Sequence, residues 1–177
     1  MLPDGLIFVD ELVTPEEERE LLALLEPLEF ETITMRGRAA RRTVRHYGMQ
    51  YEYGRRDVEP GEPIPPELEL VRDRCAELMG REPRQLVQLL VQRYPAGAGI
   101  GWHKDAPVFG DEIAGVSLLG RSRLQLRDSG GAVTTVELPP RSAYVMSGSA
   151  RWDYEHTIPP TRELRYSLTF RSLGGGG

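Results

Sequence analysis

The stretch Gly101-Trp102-His103-Lys104-Asp105 decides how this chain is read. Side chains of an extended strand alternate with period two, so His103 and Asp105 point to the same side. A second histidine lies well down the chain, in Asp153-Tyr154-Glu155-His156. Two neutral imidazoles and one carboxylate can grip one face of a divalent metal and leave the other face open. On this reading His103, Asp105 and His156 are both the metal ligands and the catalytic centre. A lone His-x-Asp pair is weak, and an isolated His156 would be read as a satisfied core histidine. The surroundings carry the argument.

After His156 comes the strand-like run Arg165-Tyr166-Ser167-Leu168-Thr169-Phe170-Arg171. Leu168 and Phe170 suit a sheet interior. Arg165, Ser167 and Arg171 fall on the alternate face, where a guanidinium needs solvent or a partner. Arginine is the residue suited to a bidentate grip on a carboxylate in a partly dry pocket. Upstream, Gln92 and Tyr94 share one face of another predicted strand. The set matches the facial triad of non-haem Fe(II) oxygenases beside an anion pocket.

Here the sequence resembles the AlkB-like 2-oxoglutarate- and Fe(II)-dependent dioxygenases. The resemblance rests on His103-x-Asp105, on His156, and on Arg165 to Arg171, which looks like the family's Arg-x5-Arg signature. Tyr47-Gly48-Met49-Gln50-Tyr51-Glu52-Tyr53 looks like its substrate-lid segment. The likeness covers roughly residues 5 to 173. There are two departures. The family's Asn-x-Tyr reads Gln92-Arg93-Tyr94 here. Pro107 stands two residues after the metal aspartate, where the DNA-repair prototype has a second aspartate that contacts the base.

The resemblance implies Fe(II) at His103, Asp105 and His156, with 2-oxoglutarate and dioxygen as cosubstrates. It implies that Arg165, helped by Tyr94, receives the distal carboxylate, and that Arg171, Gln92 and Ser167 lie toward the C1 end. Decarboxylation to succinate would accompany hydroxylation or oxidative dealkylation of a modified base in DNA or RNA. The base would be single-stranded or flipped. Arg41, Arg42 and Arg45 would meet phosphates, and Tyr47, Tyr51 and Trp102 would stack; for Trp102, core packing is the competing reading. Two alternatives stand beside this one. One is the same chemistry on a protein side chain or small molecule. The other is a catalytically silent, cupin-like binding module, which the full ligand set and both arginines disfavour. Pro107 removes a carboxylate that would favour a cationic lesion, with Asp111 and Glu112 the remaining acids nearby.

Composition bounds the rest. The chain has 177 residues, enough for one domain with a real core, and is 40% apolar and 28% charged. Its net charge of −5 does not itself suggest nucleic acid, but the charge is uneven. Residues 1–32 hold ten acids and one arginine; residues 33–56 hold seven arginines and one glutamate. That basic stretch is the candidate lid. Its bland alternative is a solvated basic face with aromatic cross-strand pairs. A single cysteine excludes an internal disulfide and fits a reducing compartment. No apolar run reads as a signal peptide or a membrane span. A cytoplasmic monomer is expected, in one domain over 1–173, with 174–177 a flexible glycine tail.

The expected fold is α+β and mainly β: a double-stranded β-helix, or jelly roll, with two supporting helices in its N-terminal half and a basic lid. Leu6–Val9 reads as a strand. Thr14, Pro15 and Glu17 open a helix with a capping box. Leu68, Val71, Cys75 and Leu78 mark a second helix, closed by Gly80. Short strands follow at 85–94, 113–119, 122–127, 133–138 and 143–146, and two more are expected around Gly48.

Overall fold

In the computed structural model the described residues are 1–35, 37–51 and 58–174. Two antiparallel sheets stack face to face. The strands are β1 (Leu6–Val9), β2 (Glu31–Met35), β3 (Arg38–Tyr51), β4 (Val58–Pro60), β5 (Gln88–Tyr94) and β6 (Ile100–His103), then β7 (Phe109–Leu118), β8 (Ser122–Arg127), β9 (Val133–Leu138), β10 (Ala143–Met146), β11 (Glu155–Ile158) and β12 (Arg165–Leu173). The helices are α1 (Pro15–Leu25), α2 (Glu69–Met79) and α3 (Gly148–Trp152). The large sheet runs β1-β10-β7-β12-β5-β3-β2, with β4 on β3; the small sheet runs β6-β11-β8-β9. This is the expected mainly-β α+β architecture with two sheets. No helix among the described residues is long and apolar enough to cross a membrane.

Alternation along the large sheet makes two cores. Tyr166, Leu168 and Phe170 of β12 join Leu89, Val91, Ala114, Val116 and Leu118 against the helices, where Leu21 and Leu25 of α1, Leu68 just before α2, and Val71 and Cys75 of α2 meet them. The opposite face, with Tyr94 and Ile113, packs on Leu124, Leu126, Val136, Leu138 and Ile158 of the small sheet and its flanks. The inter-sheet face therefore carries Arg165, Ser167 and Arg171 of β12, and Gln92 and Tyr94 of β5. Cross-strand register sets Tyr94 beside Arg165 and Gln92 beside Ser167. Buried Cys75 has its thiol pushed up to about 12 by desolvation, which fits a packing residue rather than a nucleophile.

Local chemistry explains the helices. Thr14 Oγ1 accepts from the Glu17 amide while the Glu17 carboxylate accepts from the Thr14 amide. Gly80 closes α2 at φ 66°, a left-handed conformation that glycine adopts without strain. Gly48 does not divide two strands as expected. β3 runs through it, with φ 77°. Its amide turns to Glu62 O, and Met49 donates to Val87 O, so the irregularity is absorbed as a local kink. The described part of the stretch expected as a lid, within 33–51, lies in the hairpin of β2 and β3. Arg36, Glu52, Tyr53, Arg55 and Arg56 lie outside the described residues, as does the side chain of Tyr51. Of the expected glycine tail, Gly174 is tied to the fold through its amide to Val108 O, and 175–177 lie outside the described residues.

Glu17 also links α1 to α2, accepting two bonds from Arg74 at 2.8 Å. Arg74 first, then the Thr14 amide, holds the Glu17 carboxyl at about 2, below its ordinary 4.5. The lowered value means that this stabilisation is complete above pH 4.5 and is lost as the pH falls toward 2. For a group in contact with solvent it amounts to about 1 kcal/mol. In urea melts, the parent should lose that increment between those limits. Glu17→Gln should start lower and show no corresponding loss.

Candidate metal and cosubstrate site

β6 and β11 pair so that His103 and His156 are direct cross-strand partners. Their rings stand 4.2 Å apart, centre to centre. Asp105 follows β6 and turns its carboxylate between them. Oδ1 lies 3.5 Å from His103 Nε2 and 3.3 Å from His156 Nε2. Ligand atoms of all three residues fall within 4.8 Å of one another. His103 Nδ1 sits 2.8 Å from Gly101 O. A proton on that nitrogen leaves the Nε2 lone pair free to ligate. Burial pushes His156 below its ordinary value, which favours the neutral, ligating form.

Asp105 is nearly sealed from solvent, with 6% of its side chain exposed. Burial alone would push its carboxyl up. The Arg171 guanidinium beside it outweighs burial and holds it well below the usual carboxylate range. Arg171 Nε lies 3.0 Å from Oδ2, with its guanidinium stacked 4.4 Å from the Phe109 ring centre. Two neutral imidazoles and an ionised carboxylate at this spacing fit Fe(II).

Arg165 is the other notable group, a guanidinium only 2% exposed. Nη2 donates to Ser117 Oγ at 2.8 Å, and the tyrosine ring of Tyr94 lies 4.9 Å from Cζ. Among the described residues its Nε and Nη1 have no hydrogen-bond partner. Leaving two donors of a buried cation unmet is costly, and a carboxylate arriving from outside would satisfy both. Gln92, Ser167 and Tyr94 line the same wall, Gln92 Nε2 donating to Ser167 Oγ at 3.4 Å.

Arg151 gave no signal in the sequence. It lies on α3, is 3% exposed, and donates to four backbone carbonyls: Asp105, Ala106, Phe109 and Gly110. Lys104 Nζ adds a bond to Trp152 O at 2.8 Å. The helix thus clamps the loop that aims Asp105.

The proposed substrate contacts are scattered. Tyr47 is buried in the helix-side core, with its hydroxyl accepting from Arg45 Nε, so it offers no face to a base. Arg45 is engaged by Tyr47, Glu29 O and Glu62 on that same side. Arg42 turns inward and is 5% exposed. Arg41 is exposed. Trp102 lies under the Arg127 guanidinium, 4.3 Å from it, and Arg127 pairs with Glu155. Trp102 neighbours His103 on β6 and so faces away from the metal ligands. Pro107 is exposed, and Glu112 is committed to Arg81 at 2.9 Å, leaving Asp111 as the nearby unassigned acid.

Comparison with known proteins agrees with this geometry. The chain matches the 2OG-Fe(II) oxygenase superfamily over residues 5–171. It is 34% identical over 169 residues to the Xenopus tropicalis tRNA (carboxymethyluridine(34)-5-O)-methyltransferase alkbh8, covering 91% of this chain and 26% of that protein. It is 30% identical over 182 residues to the Arabidopsis thaliana "Alkylated DNA repair protein ALKBH8 homolog", covering 88% and 51%. The chain thus spans between a quarter and a half of these relatives. The solved structure of OsALKBH1 superposes with a TM-score of 0.75 at 15% identity, covering 97% of this chain and 100% of that one. A Pseudomonas putida prolyl-4-hydroxylase gives 0.68 at 14% identity, covering 96% and 92%. These structural likenesses show the oxygenase jelly-roll fold. The chain belongs to the 2OG-Fe(II) oxygenase superfamily. That family and the triad imply Fe(II) and 2-oxoglutarate as its cofactors.

His103→Ala should abolish 2-oxoglutarate turnover while the circular dichroism spectrum stays that of the parent, because an edge-strand ligand supports little core. Arg151→Met should lower Fe(II) affinity about 10- to 100-fold, as loss of a group that orients a ligand does. Succinate release and circular dichroism would read the first, and metal binding by equilibrium dialysis the second. Undiminished metal affinity in Arg151→Met would remove the clamp from the site.

Proposed function

We propose that this domain oxidises a modified base in RNA, at a C–H bond of a substituent on a tRNA wobble uridine. The observation that carries the oxidation is the triad His103–Asp105–His156 beside the unmet donors of Arg165. When bound, Fe(II), 2-oxoglutarate and dioxygen would supply oxidation of an unactivated C–H bond, one oxygen atom going to the substrate and the other to succinate, with carbon dioxide released. The chain's own work is positional. His103, Asp105 and His156 would hold the metal. Arg165, with Tyr94, would hold the distal carboxylate of 2-oxoglutarate, and Gln92 and Ser167 would line its flank. Arg171 acts chiefly by keeping Asp105 ionised. Hydroxylation of an N-methyl carbon would release formaldehyde; on a carbon-bound substituent the hydroxyl would remain.

Two observations support uridine. Curated relatives that match nearly the whole chain are named for carboxymethyluridine at position 34. Pro107 places no charge over the target, and Glu112 is held by Arg81, so a neutral base is preferred to a cationic one. The triad fits oxygenation, so methyl transfer is not part of the proposal. The second reading is repair of alkylated DNA, favoured by the name of the Arabidopsis relative. Exposed Arg41 of β3 is the remaining candidate for a phosphate contact among Arg41, Arg42 and Arg45.

A panel of tRNA carrying modified uridine 34, methylated RNA and methylated DNA, read by mass spectrometry alongside succinate release, tests the proposal. Oxidation of the tRNA substituent alone is expected. Turnover confined to 3-methylcytosine or 1-methyladenine in DNA would sink it. Arg165→Lys should raise the 2-oxoglutarate requirement at least tenfold, since a point charge cannot reproduce the fork. Pro107→Asp should shift preference toward cationic bases; a parent that already prefers them would refute the Pro107 argument.

A further inference from the structure

Arg42 lies in the arginine-rich stretch yet is turned into the protein, on the same sheet face as Gln92. Its Nη1 donates to Gln92 Oε1 at 2.7 Å. That oxygen also accepts from the Tyr94 hydroxyl, at 3.3 Å, while Gln92 Nε2 donates to Ser167 Oγ. The amide orientation is thereby fixed. A flip would set an NH2 group against the guanidinium and take the acceptor away from two donors. The distances are unequal in a telling way. The charge-assisted bond is short and strong, and the tyrosine bond is long and weak. Tyr94 in turn is the register partner of Arg165, and its ring lies beside that guanidinium.

We infer that Arg42 is a positioning residue for 2-oxoglutarate, acting through Gln92: it keeps Gln92 Oε1 bonded while Tyr94 turns its O–H from Gln92 to the carboxylate at Arg165. This rests on the placement of that carboxylate at Arg165. Without Arg42, the turn would leave Oε1 a buried acceptor with no donor, and binding would weaken by about tenfold. Gln92 is also one of the two departures from the family pattern. The residue that replaces the expected asparagine is the one this arginine grips.

The test is calorimetric titration of 2-oxoglutarate into the Mn(II)-loaded chain without oxygen. The variants are Arg42→Met, Arg42→Lys, Tyr94→Phe, the double variant Arg42→Met with Tyr94→Phe, and Arg165→Met. Arg42→Met should raise the Kd about tenfold, and Arg42→Lys, which keeps a charged donor, should recover most of it. In the Tyr94→Phe background there is no hydroxyl proton to turn, so Arg42→Met should add less than about twofold. Mn(II) affinity and circular dichroism check the fold. If Arg42→Met does not fold, Arg42→Gln takes its place in the same cycle. An unchanged Kd in Arg42→Met, or the full loss persisting with Tyr94→Phe, overturns the inference. So does an unchanged Kd with weakened oligonucleotide binding, which would make Arg42 a phosphate contact. An unchanged Kd in Arg165→Met would instead overturn the placement of the carboxylate on which the inference rests.

Discussion

An ionised carboxylate with almost no access to water is the constraint on which the site depends. Asp105 must carry its charge to serve as a ligand, and burial opposes the charge. Three elements answer that. β12 delivers Arg171 to Oδ2. The in-register pairing of β6 with β11 delivers two imidazoles to Oδ1. α3 fixes the backbone through Arg151, whose four bonds to carbonyls leave the loop little freedom. Remove any one and the charge is left less compensated, which is how a residue that touches neither metal nor cosubstrate comes to matter.

The two sheets divide the chemistry. The small sheet brings the histidines, and the large sheet brings Arg165, Arg171, Gln92 and Tyr94 on the inward face of β5 and β12. These are central strands, paired on both sides, so Arg165 and Tyr94 are held by ladders of backbone bonds rather than by loops. A buried guanidinium with two unmet donors is tolerable only on such a frame. The same alternation that turns Tyr166, Leu168 and Phe170 into the helix-side core turns Arg165 and Arg171 to the inter-sheet face.

Much of this was legible in the sequence, because period-two alternation and capping chemistry are local. The α1 capping box, the Gly80 cap and the spans of β8, β9 and β10 follow from residues within a few positions of each other. So does the facing of Arg165 and Arg171. What failed was non-local. α3 is five residues long and has no side-chain cap, so nothing marks it, and Arg151 reads as any arginine. The basic stretch was read as one surface. Its residues lie on a single long strand, where neighbours point opposite ways, so Arg42 goes into the site and Arg45 to the helices. Tyr47 followed Arg45 because it is two residues on, on the same side.

Substrate choice resists sequence reading for a related reason. Metal and cosubstrate residues are fixed by strands that cannot shift without dismantling the core. The groups proposed for the substrate lie at the periphery: the turn at Pro107, and the β2–β3 hairpin of the large sheet, where β2 has a neighbour on one side only. Edges and turns accept changes that central strands do not. Membership of the oxygenase superfamily therefore constrains the oxidation tightly and the base loosely. At this periphery the chain has a proline where a carboxylate would favour a cation, and its nearest glutamate is held by Arg81. The preference proposed for a neutral base rests on those two local facts more than on the fold, with exposed Asp111 the nearby acid that bears against it.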